Sequence, residues 1–198
     1  PAAEKKGLKI LAVWENGYRH ITNNKRPINV PADLQGIKLR TPKGKWRVKM
    51  FQSYGANPSP MAFSEVFTAL QTGVMDGQEN PFTQIYSGKF QEVQKYLSLT
   101  GHVYTPAYIT VGTKKWASLP ADVRKTLEGV AKETQAFVYA TAEKDETDLL
   151  QKLKAAGMQV NEADKSAFVK ASAGIYSGFG KDVAGSKALI DKALSLAN

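Results

Sequence analysis

Apolar positions along the chain fall alternately into short continuous runs and into helical repeats. The run "LKILAVW" (8–14) is bounded by polar residues and reads as a buried strand. "GIKLR" (36–40), entered from the turn-rich "RPINVPADLQ", reads as a second. After the turn "TPKG", the spacing of Val48, Met50 and Phe51 predicts a helix over 44–54 that stops at Gly55. The proline-punctuated "GANPSPM" then reads as a connection to an amphipathic helix from about Ser64 to Thr72. "FTQIYSGKFQEVQKY" (82–96) carries another helical pattern, and "YLSLTGHVYTPAYITVGTKKW" (96–116) is rich in residues that favour strands. Strands and helices alternate without an internal repeat, so the pattern is α/β.

The segment from Pro120 to about Met158 constrains the architecture most. Ser118 or Leu119 supplies a cap, Pro120 the first turn, and the next strong stop is Gly157. A single helix of that extent spans on the order of 50 Å, beyond the ~30 Å of a small domain, and would bridge two lobes. The competing expectation is two helices broken near Gly129 or within "EKDETD". Beyond it, a capped helix is predicted to begin near Asp164, and "GSKALIDKALSLA" (185–197) forms a last short one.

Composition narrows the function classes. The 198 residues are 42% hydrophobic and 23% charged, a globular balance. No apolar run reaches the ~20 residues that cross a bilayer as a helix, and "PAAEKKGLKI" shows no apolar signal-peptide core. Cysteine is absent, which removes disulfides, thiolate catalysis and thiolate metal sites but does not fix the compartment. A net charge of +9 favours anionic partners without choosing among them. In "KGKWRVKMF", Lys43, Lys45, Arg47 and Lys49 would form one basic face beside Trp46 on a strand, as nucleic-acid binders do. On the predicted helix the same spacing scatters the charges over a solvated face.

Catalytic signatures are mostly missing. The two histidines, His20 and His102, form no HxxxH or HExxH pair, and the glycines of "GFGKDVAGSK" match neither a phosphate loop nor a dinucleotide fingerprint. No GxSxG elbow occurs, and no metal or cofactor site is predicted. Glu65, Asp76 and Glu79 could in principle supply a general acid and base for a small carboxylate-processing enzyme. Arg40 closes a predicted strand, where open α/β sheets meet their ligands, and its guanidinium matches a carboxylate in a fork. The competing role for such an arginine is an internal ion pair.

Three blocks carry a resemblance: "YRHITNNKRPINVPADLQGIKLRTP", "GANPSPMAFSEVFTALQTGVMDGQENP" and "KFQEVQKYLSLTGHVY". They resemble the extracytoplasmic solute-binding subunit of tripartite ATP-independent periplasmic (TRAP) transporters, the DctP-like family. The likeness, which includes "SLPADVRKTL", covers roughly the last two thirds of a family member. It implies a periplasmic-binding-protein-like α/β architecture of two lobes braced by a long helix, with one lobe nearly complete here and the other partial. Residues 18–104 and the tail 150–198 would build one lobe. Residues 1–17 and 105–149, the latter with the bridging helix, would belong to the other.

The resemblance further implies capture of a small organic-acid anion, with no enzymatic activity and no cofactor. It also implies a periplasmic location and delivery of the solute to small and large membrane subunits. Carried over by position, Arg40 would grip the carboxylate, Arg19 would help, Asn80 would bind through its amide, and Phe63 would wall the pocket. Trp46 would either cap the ligand or pack its own helix. In "DGQENP" (76–81), Gly77 would permit a tight turn and Pro81 fix its exit, with Asp76, Gln78 and Glu79 supporting the loop. A partial lobe would leave the pocket half walled and apolar sheet surface exposed, with weak or absent ligand binding and self-association or swapping as the expected results.

Overall fold

The computed structural model describes residues 2–196. After a short 3₁₀ turn, strand β1 runs over Leu8–Asn23, well past the apolar run that announced it. β2 (Lys38–Thr41) leads into helix α1 (Lys45–Ser53). β3 (Asn57–Pro60) precedes α2 (Phe63–Gln71), and β4 (Gly77–Asn80) precedes α3 (Phe82–Ser87). The 17-residue β5 (Tyr96–Gly112) is followed by α4 (Thr113–Ser118) and α5 (Ala121–Ala155). β6 (Gln159–Glu162), α6 (Lys165–Ala171), α7 (Ala173–Asp182) and α8 (Ser186–Ser195) complete the chain. The last residue of the predicted 185–197 helix, Ala197, lies outside the described residues.

The strands form one mixed sheet in the order β3-β2-β4-β1-β5-β6. β1 is antiparallel to both β4 and β5, whereas β2 pairs in parallel with β3 and β4, and β5 in parallel with β6. Because Ile21 and Leu97 point to opposite faces, the sheet is sandwiched. One face carries Ile21, Leu39, Met50, Phe51 and Phe168; the other carries Val66, Leu70, Ile85, Leu97 and, from the end of α5, Leu149 and Leu153. The far halves of β1 and β5 continue as a two-stranded ribbon, Leu8 opposite Gly112 and Tyr18 opposite Tyr104.

α5 is one unbroken 35-residue helix with Gly129 inside it, which removes the two-helix expectation. It is tied to the ribbon by Trp14 Nε1, which donates to Ala131 O at 3.2 Å, and by the Lys9–Glu128 ion pair at 3.1 Å. Asp164 does cap α6, its Oδ1 accepting the Ala167 N–H at 3.1 Å.

Three local expectations are corrected. The proline-punctuated connection contains β3, a parallel edge strand, where Pro58 and Pro60 are tolerated because one side of the strand needs no partner. The helical run 82–96 is only α3 and a 3₁₀ turn, separated by Lys89 at φ 56°. "DGQENP" is no turn: Gly77–Asn80 is the fully buried strand β4 between β2 and β1. Gly77 is there for closeness, since a Cβ would lie 2.3 Å from Thr22 O and 2.7 Å from Asn23 Cβ. Pro81 does stand at the exit, as the residue before α3.

Candidate ligand-binding site

β4 is polar yet wholly buried, so each of its side chains must find a partner. Gln78 Nε2 donates to Thr22 Oγ1 at 3.0 Å, and Asn80 Nδ2 donates to Gln78 Oε1 at 2.6 Å. Glu79 accepts from three other elements. Arg19 Nε on β1 reaches its Oε2 at 2.6 Å, Arg47 Nη1 on α1 reaches both oxygens at 3.0 and 3.2 Å, and His102 Nε2 on β5 lies 3.0 Å from Oε2. A carboxylate only accepts, so His102 donates through Nε2, and its Nδ1 accepts from Thr100 Oγ1 at 2.7 Å.

Burial opposes the charged form of Glu79, but the hydrogen bond and charge of His102, followed by Arg19, outweigh it and hold the carboxyl down to about 2. Burial likewise depresses the His102 pKa, against the pull of Glu79. Glu79 is therefore an anion fixed among donors. It cannot serve as an acid–base partner of Glu65, which accepts the Ala62 N–H, or of Asp76, which accepts the Lys38 N–H and pairs with Lys25.

Arg40 is 3% exposed at the end of β2. Its Nε and Nη2 both donate to Met61 O, at 3.0 and 2.7 Å. Among the described residues its Nη1 has no hydrogen-bond partner. Burial lowers the Arg40 pKa, Glu79 raises it, and the like charges of Arg19 and Arg47 lower it further. One edge of the guanidinium is thus anchored to the main chain through Met61 O.

The remaining expected residues divide. Arg19 and Asn80 meet, Arg19 Nη2 donating to Asn80 Oδ1 at 2.8 Å and to Glu79 O at 2.6 Å, so this arginine is already engaged inside the protein. Phe63, two residues beyond Met61, is half-exposed and tilts against Phe90 with centroids 5.6 Å apart. Trp46 packs on α7: its ring meets Phe179 edge-on at 5.4 Å, lies against Gly178, and sits beneath the ammonium groups of Lys45 and Lys49. The basic segment is helical, Lys45 paired with Asp182 and Arg47 with Glu79, so no continuous basic face forms.

Arg47 and His102 were not among the expected site residues. For Arg47 a signal existed, because positions 47, 50 and 51 share a helix face and Met50 and Phe51 are buried. A cavity of about 500 Å³ between β1, β5 and α5 is lined by Tyr18, Tyr104, Tyr139 and Glu143, and by none of the expected residues. The arginine cluster is the better candidate because it brings Arg19, Arg47 and Arg40 together near one buried carboxylate, with Nη1 of the buried Arg40 unpartnered among the described residues.

The family model of the bacterial extracellular solute-binding proteins, family 7 (DctP), matches residues 1–182. The chain belongs to this family. DctP-family proteins bind solutes and are not enzymes. The 2,3-diketo-L-gulonate-binding periplasmic protein of Escherichia coli is 40% identical over 166 residues, 83% of this chain and 51% of that protein. The C4-dicarboxylate-binding periplasmic protein of Rhodobacter capsulatus is 39% identical over 154 residues, 78% of this chain and 46% of its own length.

Among solved structures, a TRAP periplasmic solute-binding protein from a Polaromonas species, bound to D-erythronate, superposes with a TM-score of 0.89 at 43% identity. It covers 94% of this chain and 62% of that one. Another from a Sulfitobacter species, with bound β-D-galacturonate, gives 0.91 at 32% identity and covers 96% and 64%. This chain thus spans about half the length of the curated DctP relatives it matches. The α/β fold expected from the resemblance is the one observed.

Proposed function

We propose that this chain is the solute-capturing part of a TRAP transporter's extracytoplasmic subunit. It holds a small organic acid by its carboxylate and presents it to the small and large membrane subunits. The observation that carries the reading is Arg40, buried, anchored along one edge on Met61 O and open at Nη1. Glu79 fixes Arg19 beside it, Asn80 adds an amide, and Phe63 lies at the rim. Relatives named as periplasmic binders of organic acids support both the ligand class and a periplasmic location. Among the described residues no helix is long and apolar enough to cross a membrane.

The lobe boundaries belong to the same proposal. Residues 18–104 and 150–198 form one lobe, while 1–17 and 105–149 belong to the other. In support, both hydrophobic clusters draw almost wholly on the first set, α5 entering them only at its end. A ligand touching both lobes would favour their closed arrangement by its differential affinity.

Titration calorimetry against a panel of aldonates, uronates and dicarboxylates tests the reading. One or more acids bind, and each is recovered unchanged. Arg40→Gln weakens that binding by tenfold or more, as expected for a charge-assisted contact of about 1.5–3 kcal/mol. Equal affinity in the variant, or conversion of the acid, overturns the proposal.

A further inference from the structure

The site holds more positive charge than one carboxylate can match. Arg19 and Arg47 bond a single buried anion, Glu79, whose remaining partner, His102, brings no negative charge, and Arg40 lies within the field of the same group. The charges that act on Arg40 are those of Glu79, Arg19 and Arg47. Three cations against one anion leave an excess of two. Such an excess in a poorly solvated place is costly unless an outside group compensates it.

The three arginines are not equivalent. Arg19 commits Nε and Nη2 to Glu79 and Asn80. Arg47 approaches from α1 and touches Glu79 through Nη1 alone; among the described residues its Nε and Nη2 have no hydrogen-bond partner. Its side chain keeps 19% of its exposure, whereas Glu79 keeps none. Arg47 therefore reaches from the buried anion toward the protein surface, with two nitrogens that no described residue engages. The unpartnered Nη1 of Arg40 is a second donor of the same cluster.

Building on the organic-acid reading above, we propose that Arg47 is a specificity-determining residue that supplies a second anion subsite. The chain accordingly selects acids carrying two negative charges over acids of the same carbon skeleton carrying one. The first carboxylate takes the open edge of Arg40, and the second anionic group takes the free edge of Arg47. A monoanion would leave one positive charge of the cluster uncompensated. Arg47 keeps its Glu79 contact throughout, so its contribution is a charge and a fork at a fixed place.

Matched acid pairs test this in the 198-residue chain: butyrate with succinate, D-erythronate with meso-tartrate, and D-gluconate with D-glucarate. Calorimetry at low and moderate salt is expected to show at least one pair in which the dianion binds tenfold or more tighter, with the ratio falling as salt rises. Arg47→Gln is expected to bring that ratio to within about threefold of unity. Arg47→Lys keeps the charge and should retain most of the preference, which a purely structural role would not predict.

A native ratio near unity in every pair, or one unchanged in Arg47→Gln, overturns the proposal while leaving acid binding intact. Failure of every acid to bind overturns the underlying reading and this proposal with it. Melting curves of both variants confirm folding. If Arg47→Gln does not fold, the Arg47→Lys ratio and the salt dependence of the native ratio decide.

Discussion

Glu79 is the residue on which the site turns. Its folded-state pKa, about 2, lies below the ordinary 4.5, so its stabilisation is fully present above that ordinary value and is lost as pH falls toward 2. The effect is of the order of 3 kcal/mol. Urea unfolding at pH 7 and at pH 3 should show this loss in the native protein, and Glu79→Gln should lower stability at pH 7 while flattening the change between the two. An unchanged pH dependence in the variant would place the acid sensitivity elsewhere. Arg40 was legible in the sequence because a strand ended on it and the family blocks surrounded it. Arg19 was named beside it through the same blocks, but its mesh with Arg47, Glu79 and His102 was not legible, because residues 19, 47, 79 and 102 lie on four elements and meet only through the sheet and the packing of α1. Trp46 was readable as either cap or packing residue, and its contacts are with α7.

At the scale of elements, the long helix and the short strand show opposite limits of sequence reading. α5 was visible because Pro120 and Gly157 bracket a stretch with no strong breaker, and length alone fixed its reach. β4 was invisible because a strand is ordinarily announced by apolar alternation, and Gly77–Asn80 contains none. Its burial is made possible by a side-chain hydrogen bond to Thr22 and by others from Arg19, Arg47 and His102 rather than by apolar contact. β3 was hidden by its two prolines. Gly77→Ala tests the close approach of β4 to β1: the added methyl meets main-chain and Cβ atoms that cannot swing away. A loss of about 2–3 kcal/mol or more is expected in chemical denaturation, at the upper end of overpacking costs. A loss below about 0.5 kcal/mol would mean that the two strands can separate without harm.

Across the whole molecule, burial is uneven. Leu8, Ile10, Val13 and Tyr108 on the ribbon, and Val130 and Phe137 on α5, are exposed, Phe137 to 70%. Exposed apolar side chains on both the ribbon and α5 favour association. Light scattering across a concentration series is expected to show a dimer or larger species that dissociates on dilution, and Phe137→Asp should shift it toward monomer. A native chain that stays monomeric throughout would contradict this. One detail of the binding site reaches further than affinity. Arg40 rests on a peptide oxygen, and a peptide oxygen persists whichever side chain occupies position 61. The aim of the guanidinium is thereby insulated from point substitution at that residue, and under the proposed function the side chains around it would be free to drift toward new solutes about an unmoving anchor.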